Sequence, residues 1–170
     1  MALIYITGMV GTGKSTVSEE LNKRGFESHD ADEEGFNYWF NRKTNNIAKN
    51  LSKYKVHTPS FHKKYEWLMI RSKVEELHKH AQDKIIFLCG VTGNENDMSD
   101  LFAREIELII DENTLRHRLS TRISNDFGKS PFELELVLGW YKSLTPRTLT
   151  IDASQSLDKV VDEILKIANS

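Results

Sequence analysis

One octapeptide, Gly8-Met9-Val10-Gly11-Thr12-Gly13-Lys14-Ser15, constrains this 170-residue chain more than any other stretch. It fits G-x-x-x-x-G-K-[ST], the pattern of a loop whose backbone N–H groups converge on an anion. Gly8, Gly11 and Gly13 let the backbone wrap, and Thr12 lies within the same turn. Lys14 can reach the β- and γ-phosphates of a nucleoside triphosphate, and the Ser15 hydroxyl can ligate Mg²⁺. Thr16 follows in the first turn of a helix whose positive dipole end adds to the attraction. The required context is a strand before and a helix after. Leu3–Thr7 reads as a buried strand, and Lys14–Arg24 as a helix with Val17 and Leu21 on one face and Gly25 as its stop. Average composition would give the pattern in on the order of one random chain of this length in a hundred or more. A plain Gly-rich turn into a helix is the bland alternative.

The rest of the chain alternates strands and helices, which predicts α/β architecture with a mostly parallel sheet in one domain spanning residues 1–170. Strands are expected at Phe26–His29, Lys84–Cys89, Ile106–Asp111 and Leu149–Asp152. Helices are expected over Glu33–Ser52, Ser60–Gln82 (Trp67, Ile70, Val74, Leu77 and Ala81 at helical spacing), Asp97–Arg104 and Thr114–Ile123. Two more follow, one after the capping box Ser130-Pro131-Phe132-Glu133 and one from Leu157 to the C-terminus. The residues at about 33–82 then form a helical insertion suited to holding an acceptor, and those at about 123–130 a lid.

Lys plus Arg is 23 and Asp plus Glu is 25, so there is no global field for a nucleic-acid backbone or an anionic membrane. Cys89 is the only cysteine, which excludes an internal disulfide and a Cys-built zinc site and fits a cytoplasmic setting. No apolar run approaches the roughly 20 residues of a membrane span. Met1 leads directly into Ala-Leu-Ile-Tyr-Ile, so no secretory signal is expected.

Two further constellations bear chemistry. Asp30 and Asp32 follow the second predicted strand, at the edge where ligands bind in open parallel sheets. One carboxylate can orient or deprotonate an acceptor hydroxyl, and the other can hold Mg²⁺ or its waters. Either could take either role, with Asp32 paired to Ser15 as the metal set, and N-capping of the next helix is the structural alternative. Arg118 and Arg122 share a helix face four residues apart, where a guanidinium can stack on a base or clamp a phosphate. The polar Ser124–Ser130 loop with Gly128 has the make-up of a closing segment, to which Lys129 adds a positive charge. Residues 42–84 hold 11 Lys or Arg against 4 acids, which reads either as a site for an anionic acceptor or as a wet helix face. Tyr38, Trp39, Phe40, Tyr65 and Trp67 offer faces for a base, although core packing is their commoner use. The six histidines show no ligand spacing.

With these elements in place, the chain resembles the small P-loop kinases, the nucleoside monophosphate kinase and shikimate kinase group. The phosphate loop, the D-x-D at Asp30 and Asp32, the R-L-x-x-R at Arg118–Arg122 and the terminal strand and helix carry the resemblance. It implies a five-stranded parallel sheet of order 2-3-1-4-5, helices on both faces and a lid loop. It further implies Arg118 on adenine, Arg122 on the transferring phosphate, and ATP with Mg²⁺. The segment 125–134 is also similar to bacterial proteins described as AAA-type ATPases or nucleoside kinase-like proteins. One departure is clear: the strand Ile85–Leu88 carries no acid, so Asp30 or Asp32 has to serve in place of a Walker B aspartate. The expected activity is transfer of the γ-phosphate of ATP to a small acceptor, a nucleoside, nucleotide or related metabolite, by a monomer or homodimer. A nucleotide-binding regulator or slow ATPase is the rival from another class, and a nucleic-acid 5′-end kinase a third.

Overall fold

The computed structural model describes residues 2–49, 51, 58–123, 126–143, 147 and 149–170. Ser124 and Asn125 of the expected lid, and Ser52, Lys53, Lys55 and His57 of the basic segment, lie outside these residues.

A five-stranded, all-parallel sheet is built from β1 (Ala2–Gly8), β2 (Glu27–Asp30), β6 (Ile85–Cys89), β7 (Arg104–Ile109) and β8 (Thr150–Asp152). Its order is β2-β6-β1-β7-β8. Numbered within this sheet alone that is 2-3-1-4-5, as expected. The fuller numbering arises because three strands of a second sheet intervene between β2 and β6.

β1 is buried on both faces, as a central parallel strand should be. Its alternation divides two cores. Ile4 and Ile6 pack with Phe87, Ile106 and Leu108 toward the helices α1 (Lys14–Lys23), α4 (Glu112–Thr121), α5 (Pro131–Ser143) and α6 (Leu157–Ala168). Leu3 and Tyr5 pack with Ile86, Leu88 and Met98 toward α3 (Arg71–His80) and a 3₁₀ segment, Glu95–Leu101, that stands where an α-helix at Asp97–Arg104 was expected. Tyr5 stacks on Phe102 with ring centroids 4.7 Å apart.

The insertion departs most from expectation. Where an α-helix over Glu33–Ser52 was expected, residues 33–49 hold β3 (Asn37–Asn41) and β4 (Asn46–Ile47), joined by a turn in which Asn45 adopts φ 52°. The predicted helix Ser60–Gln82 is divided into α2 (Pro59–Lys64), β5 (Tyr65–Met69) and α3. β4, β3 and β5 form an antiparallel sheet in which Trp39 faces Trp67. The physical reason is composition. Asn37-Tyr38-Trp39-Phe40-Asn41 and Tyr65-Glu66-Trp67-Leu68-Met69 are aromatic-rich runs that fit a pleated, half-buried surface better than a helix face. Helical spacing holds only from Ile70 onward, where Val74 and Leu77 are buried on α3.

The loop after β6 locks the two sheets together. Gly93 N–H donates to the Trp67 carbonyl at 2.9 Å, and Met69 N–H donates to Thr92 Oγ1 at 2.9 Å. A Cβ at Gly90 would stand 2.7 Å from the Ala31 Cβ, a methyl that cannot swing aside. Gly90→Ala should therefore cost about 1–3 kcal/mol of stability. Urea unfolding checks this, and an unchanged midpoint would contradict the packing.

Candidate functional site

At the carboxyl ends of β1 and β2 lies a cleft of about 840 Å³. Its floor is the phosphate loop. Gly8 sits at φ 146°, and a Cβ there would meet the Leu108 carbonyl at 2.6 Å, so the loop can leave β1 in this direction only with glycine. Gly13, at φ 96°, turns the chain into α1. That helix has no side-chain cap and no acid in its first turn, which leaves its first N–H groups for an anion.

Lys14 lies inside this loop, 9% exposed, donating from Nζ to the carbonyls of Gly8 at 2.8 Å and Met9 at 3.0 Å. Burial pulls its pKa down, and the nearby Asp32 and Asp30 carboxylates oppose that shift. Thr12 is buried and fixes the turn through Oγ1 to the Met9 carbonyl at 2.8 Å. Ser15 and Thr16 are exposed and line the cleft. Cys89, at the end of β6, is buried, and desolvation pushes its thiol up to about 12, so it is inert.

Asp30 and Asp32 line the same cleft as Lys14. Neither caps an α-helix, because residues 31–35 form turns rather than a helix. Asp30 Oδ1 accepts from the backbone N–H groups of Asp32 at 3.0 Å and Glu33 at 3.3 Å. Asp32 Oδ1 accepts from Asn37 Nδ2 at 2.6 Å and Trp67 Nε1 at 3.0 Å. These two donors were not among the residues singled out for Asp32 from the sequence. Trp67 lies 35 residues away, and no local pattern joins them.

Arg118 and Arg122 both line the cleft. Arg118 bridges the phosphate loop to the loop after β8, donating to the Thr12 carbonyl at 3.1 Å and the Ala153 carbonyl at 2.7 Å. Arg122 donates to the Phe127 carbonyl, and its buried Nε has no partner among the described residues. Burial lowers its pKa, against the pull of Glu133 and Asp126. Lys129 is not among the residues lining the cleft and pairs with Asp126 at 2.8 Å. The Ser130 side of the capping box is formed, with Glu133 N–H donating to Ser130 Oγ at 3.3 Å; Glu133 Oε2 accepts from Ser130 Oγ at 3.0 Å and from Gly128 N–H at 3.1 Å.

None of the described Lys or Arg residues of 42–84 lines the cleft. Arg42 pairs with Glu66, Arg71 with Glu75 and Asp100, and Lys84 with Glu27, as a solvated surface would. Trp39, Phe61, Tyr65 and Trp67 pack on one another at 4.8–5.1 Å between ring centroids. Among the described residues no group of three or more His, Cys, Asp or Glu could hold a metal ion. No helix among them is long and apolar enough to cross a membrane.

The profile of the AAA domain family matches residues 4–136, from β1 through the two arginines into α5. The chain belongs to this AAA domain family. Its architecture is that of a small P-loop kinase. Among solved structures, the shikimate kinase of Acinetobacter baumannii in complex with shikimate superposes with a TM-score of 0.63 at 17% identity, covering 99% of this chain and 93% of that one. The shikimate kinase of Bacteroides thetaiotaomicron gives 0.61 at 15% identity, covering 99% of each chain. A sugar kinase from Janibacter sp. HTCC2649 gives 0.58 at 17%, covering 99% and 95%. At these identities the likeness is one of fold. No curated protein sequence matches this chain.

Arg118→Met removes the hydrogen bonds to the Gly11, Thr12 and Ala153 carbonyls while keeping an unbranched chain of similar length. Hydrogen bonds from a charged group are worth roughly 1.5–3 kcal/mol. The affinity for an ATP analogue should fall about tenfold or more, read by calorimetry. Equal affinity would mean that the bridge does not shape the loop.

Proposed function

We propose that this protein is an ATP-dependent phosphotransferase that moves the γ-phosphate to a hydroxyl of a small molecule, a nucleoside, nucleotide or related metabolite. One observation supports this above the others: Lys14, Arg118, Arg122, Asp30 and Asp32 all line a single cleft. The cations suit a triphosphate, and the carboxylates suit a hydroxyl and a metal.

The Ser15 hydroxyl with the Asp30 and Asp32 carboxylates is a set of hard oxygen donors of the kind Mg²⁺ takes alongside substrate phosphates. When bound there, Mg²⁺ neutralises phosphate charge. Lys14 then has to exchange the Gly8 and Met9 carbonyls for phosphate oxygens, with its ammonium already in the loop. Arg122 supplies further positive charge. One of the two aspartates accepts the acceptor's proton as the new O–P bond forms and the bond to the β-phosphate oxygen breaks, releasing ADP.

A coupled ADP-release screen over nucleosides, nucleoside monophosphates, sugar acids and aminoglycoside-like compounds tests this reading. Acceptor-stimulated turnover supports it. ADP release that no acceptor stimulates would favour a regulator or slow ATPase. Lys14→Ala should abolish turnover with an unchanged circular dichroism spectrum, because the ammonium cancels charge that develops in the transition state. An undiminished rate at saturating ATP would remove the kinase reading. Asp32→Asn should lower kcat by roughly 10²–10⁴-fold, more than it weakens acceptor binding. Near-normal rates in both Asp30→Asn and Asp32→Asn would place the proton transfer elsewhere.

A further inference from the structure

We infer that Asn37 and Trp67, on β3 and β5, are positioning residues that fix the Asp32 carboxylate for transfer. This inference rests on the kinase reading above. Both donors converge on one oxygen, Oδ1, at 2.6 Å and 3.0 Å. Among the described residues nothing donates to Oδ2, so Asp32 keeps one oxygen for a ligand while the other is held. Asp32 itself is exposed and sits in a turn, where a lone carboxylate would sample several rotamers. Two hydrogen bonds to an ionised acceptor select one.

The donors are themselves locked. Asn37 is buried, its backbone N–H donates to the Ala31 carbonyl at 3.2 Å, and its Nδ2 also reaches the Val91 carbonyl at 3.2 Å. Trp67 is paired opposite Trp39, its ring is 5.1 Å from the Trp39 ring, and its carbonyl accepts from Gly93. Turning the Asn37 amide over would set its oxygen against the Asp32 carboxylate, so the donor orientation is the one chemistry allows. That orientation leaves Asn37 Oδ1 buried without a partner among the described residues. An unsatisfied buried acceptor opposes folding. A side chain kept at that cost is kept for its N–H groups.

The test uses the full chain and two readouts. The first needs no acceptor. Of the three tryptophan indole N–H resonances, the one lost in Trp67→Phe should move upfield in Asp32→Asn, because a carboxylate deshields its donor more than an amide does. An unmoved resonance overturns the contact. The second is a double-mutant cycle with an acceptor from the screen. Trp67→Phe keeps the ring stacking and removes the N–H. It should lower kcat roughly ten- to hundredfold with an unchanged KM for ATP, as misplacement of a reacting group does. In the Asp32→Asn background the same change should cost almost nothing, since the residue it positions is already disabled. Asn37→Leu repeats the cycle from the other donor. Equal losses in both backgrounds, or an unaltered kcat, would reduce Asn37 and Trp67 to structural residues. A wild type that phosphorylates no compound overturns the kinase reading and the use of the clamp with it. The indole shift would still report whether the contact exists.

Discussion

A buried ammonium held by two carbonyls of its own loop is the interaction on which the rest of the site depends. Lys14 is nearly enclosed by its own loop, and an unpaired cation there would be expensive. Two things make it tolerable. The carbonyls of Gly8 and Met9 accept hydrogen bonds from it, and the carboxylates of Asp30 and Asp32 act on it through space. The loop therefore has to be coupled to the turn after β2, although the two lie on different strands. A site that loses one carboxylate leaves the cation less compensated, so a change at Asp32 reaches the loop without touching it.

The sheet order makes that coupling geometric. β6 stands between β1 and β2, and its own carboxyl end is apolar and buried. With no acid on β6, the carboxylates have to come from beyond it, and β2 ends at Asp30 in register with Cys89. Beyond β2 the chain leaves the main sheet and returns to it only as β6. It makes the small antiparallel sheet, whose aromatic strands lie against the loop after β6 through Thr92, Gly93 and Asn94. One short loop thus fixes the height of the small sheet relative to the main one, and with it the distance from Trp67 to Asp32.

Features set by local backbone demands were legible in the sequence. The phosphate loop, the capping box at Ser130 and the buried strand at Leu3–Thr7 each follow from residues a few positions apart. What escaped was set at a distance. Ile70 fits both a strand end and a helix start, so the spacing Trp67, Ile70, Val74, Leu77 reads as one helix although the chain changes period there. The clamp on Asp32 joins residues from two strands that the pattern assigned to helices, so their convergence had no trace in spacing. Lys129 was expected to bring a positive charge to the site from the polar loop Ser124–Ser130, and it pairs with Asp126, three residues earlier. The excess of basic residues over 42–84 is a similar case. A count of charges says nothing about pairing, and Arg42, Arg71 and Lys84 are answered by Glu66, Glu75, Asp100 and Glu27.

The charges that stay in the cleft are few and sorted. Lys14, Arg118 and Arg122 lie on the loop and α4 side, and Asp30, Asp32, Glu33 and Glu34 lie at the end of β2 and on the turn after it, with Glu19 on α1 the one lining acid outside that division. Such polarity across a cleft orients a ligand with an anionic end more sharply than a uniform field could, because reversal would bring like charges together. The near-neutral total of the chain hides this, since the two signs cancel in the sum while remaining apart in space. Under the proposed kinase reading that separation suits the reaction, with cations for the phosphates and carboxylates for the acceptor hydroxyl. Asn37 and Trp67 hold Asp32 Oδ1 from β3 and β5, so the acidic side of the cleft is tied to the small sheet rather than to the phosphate loop.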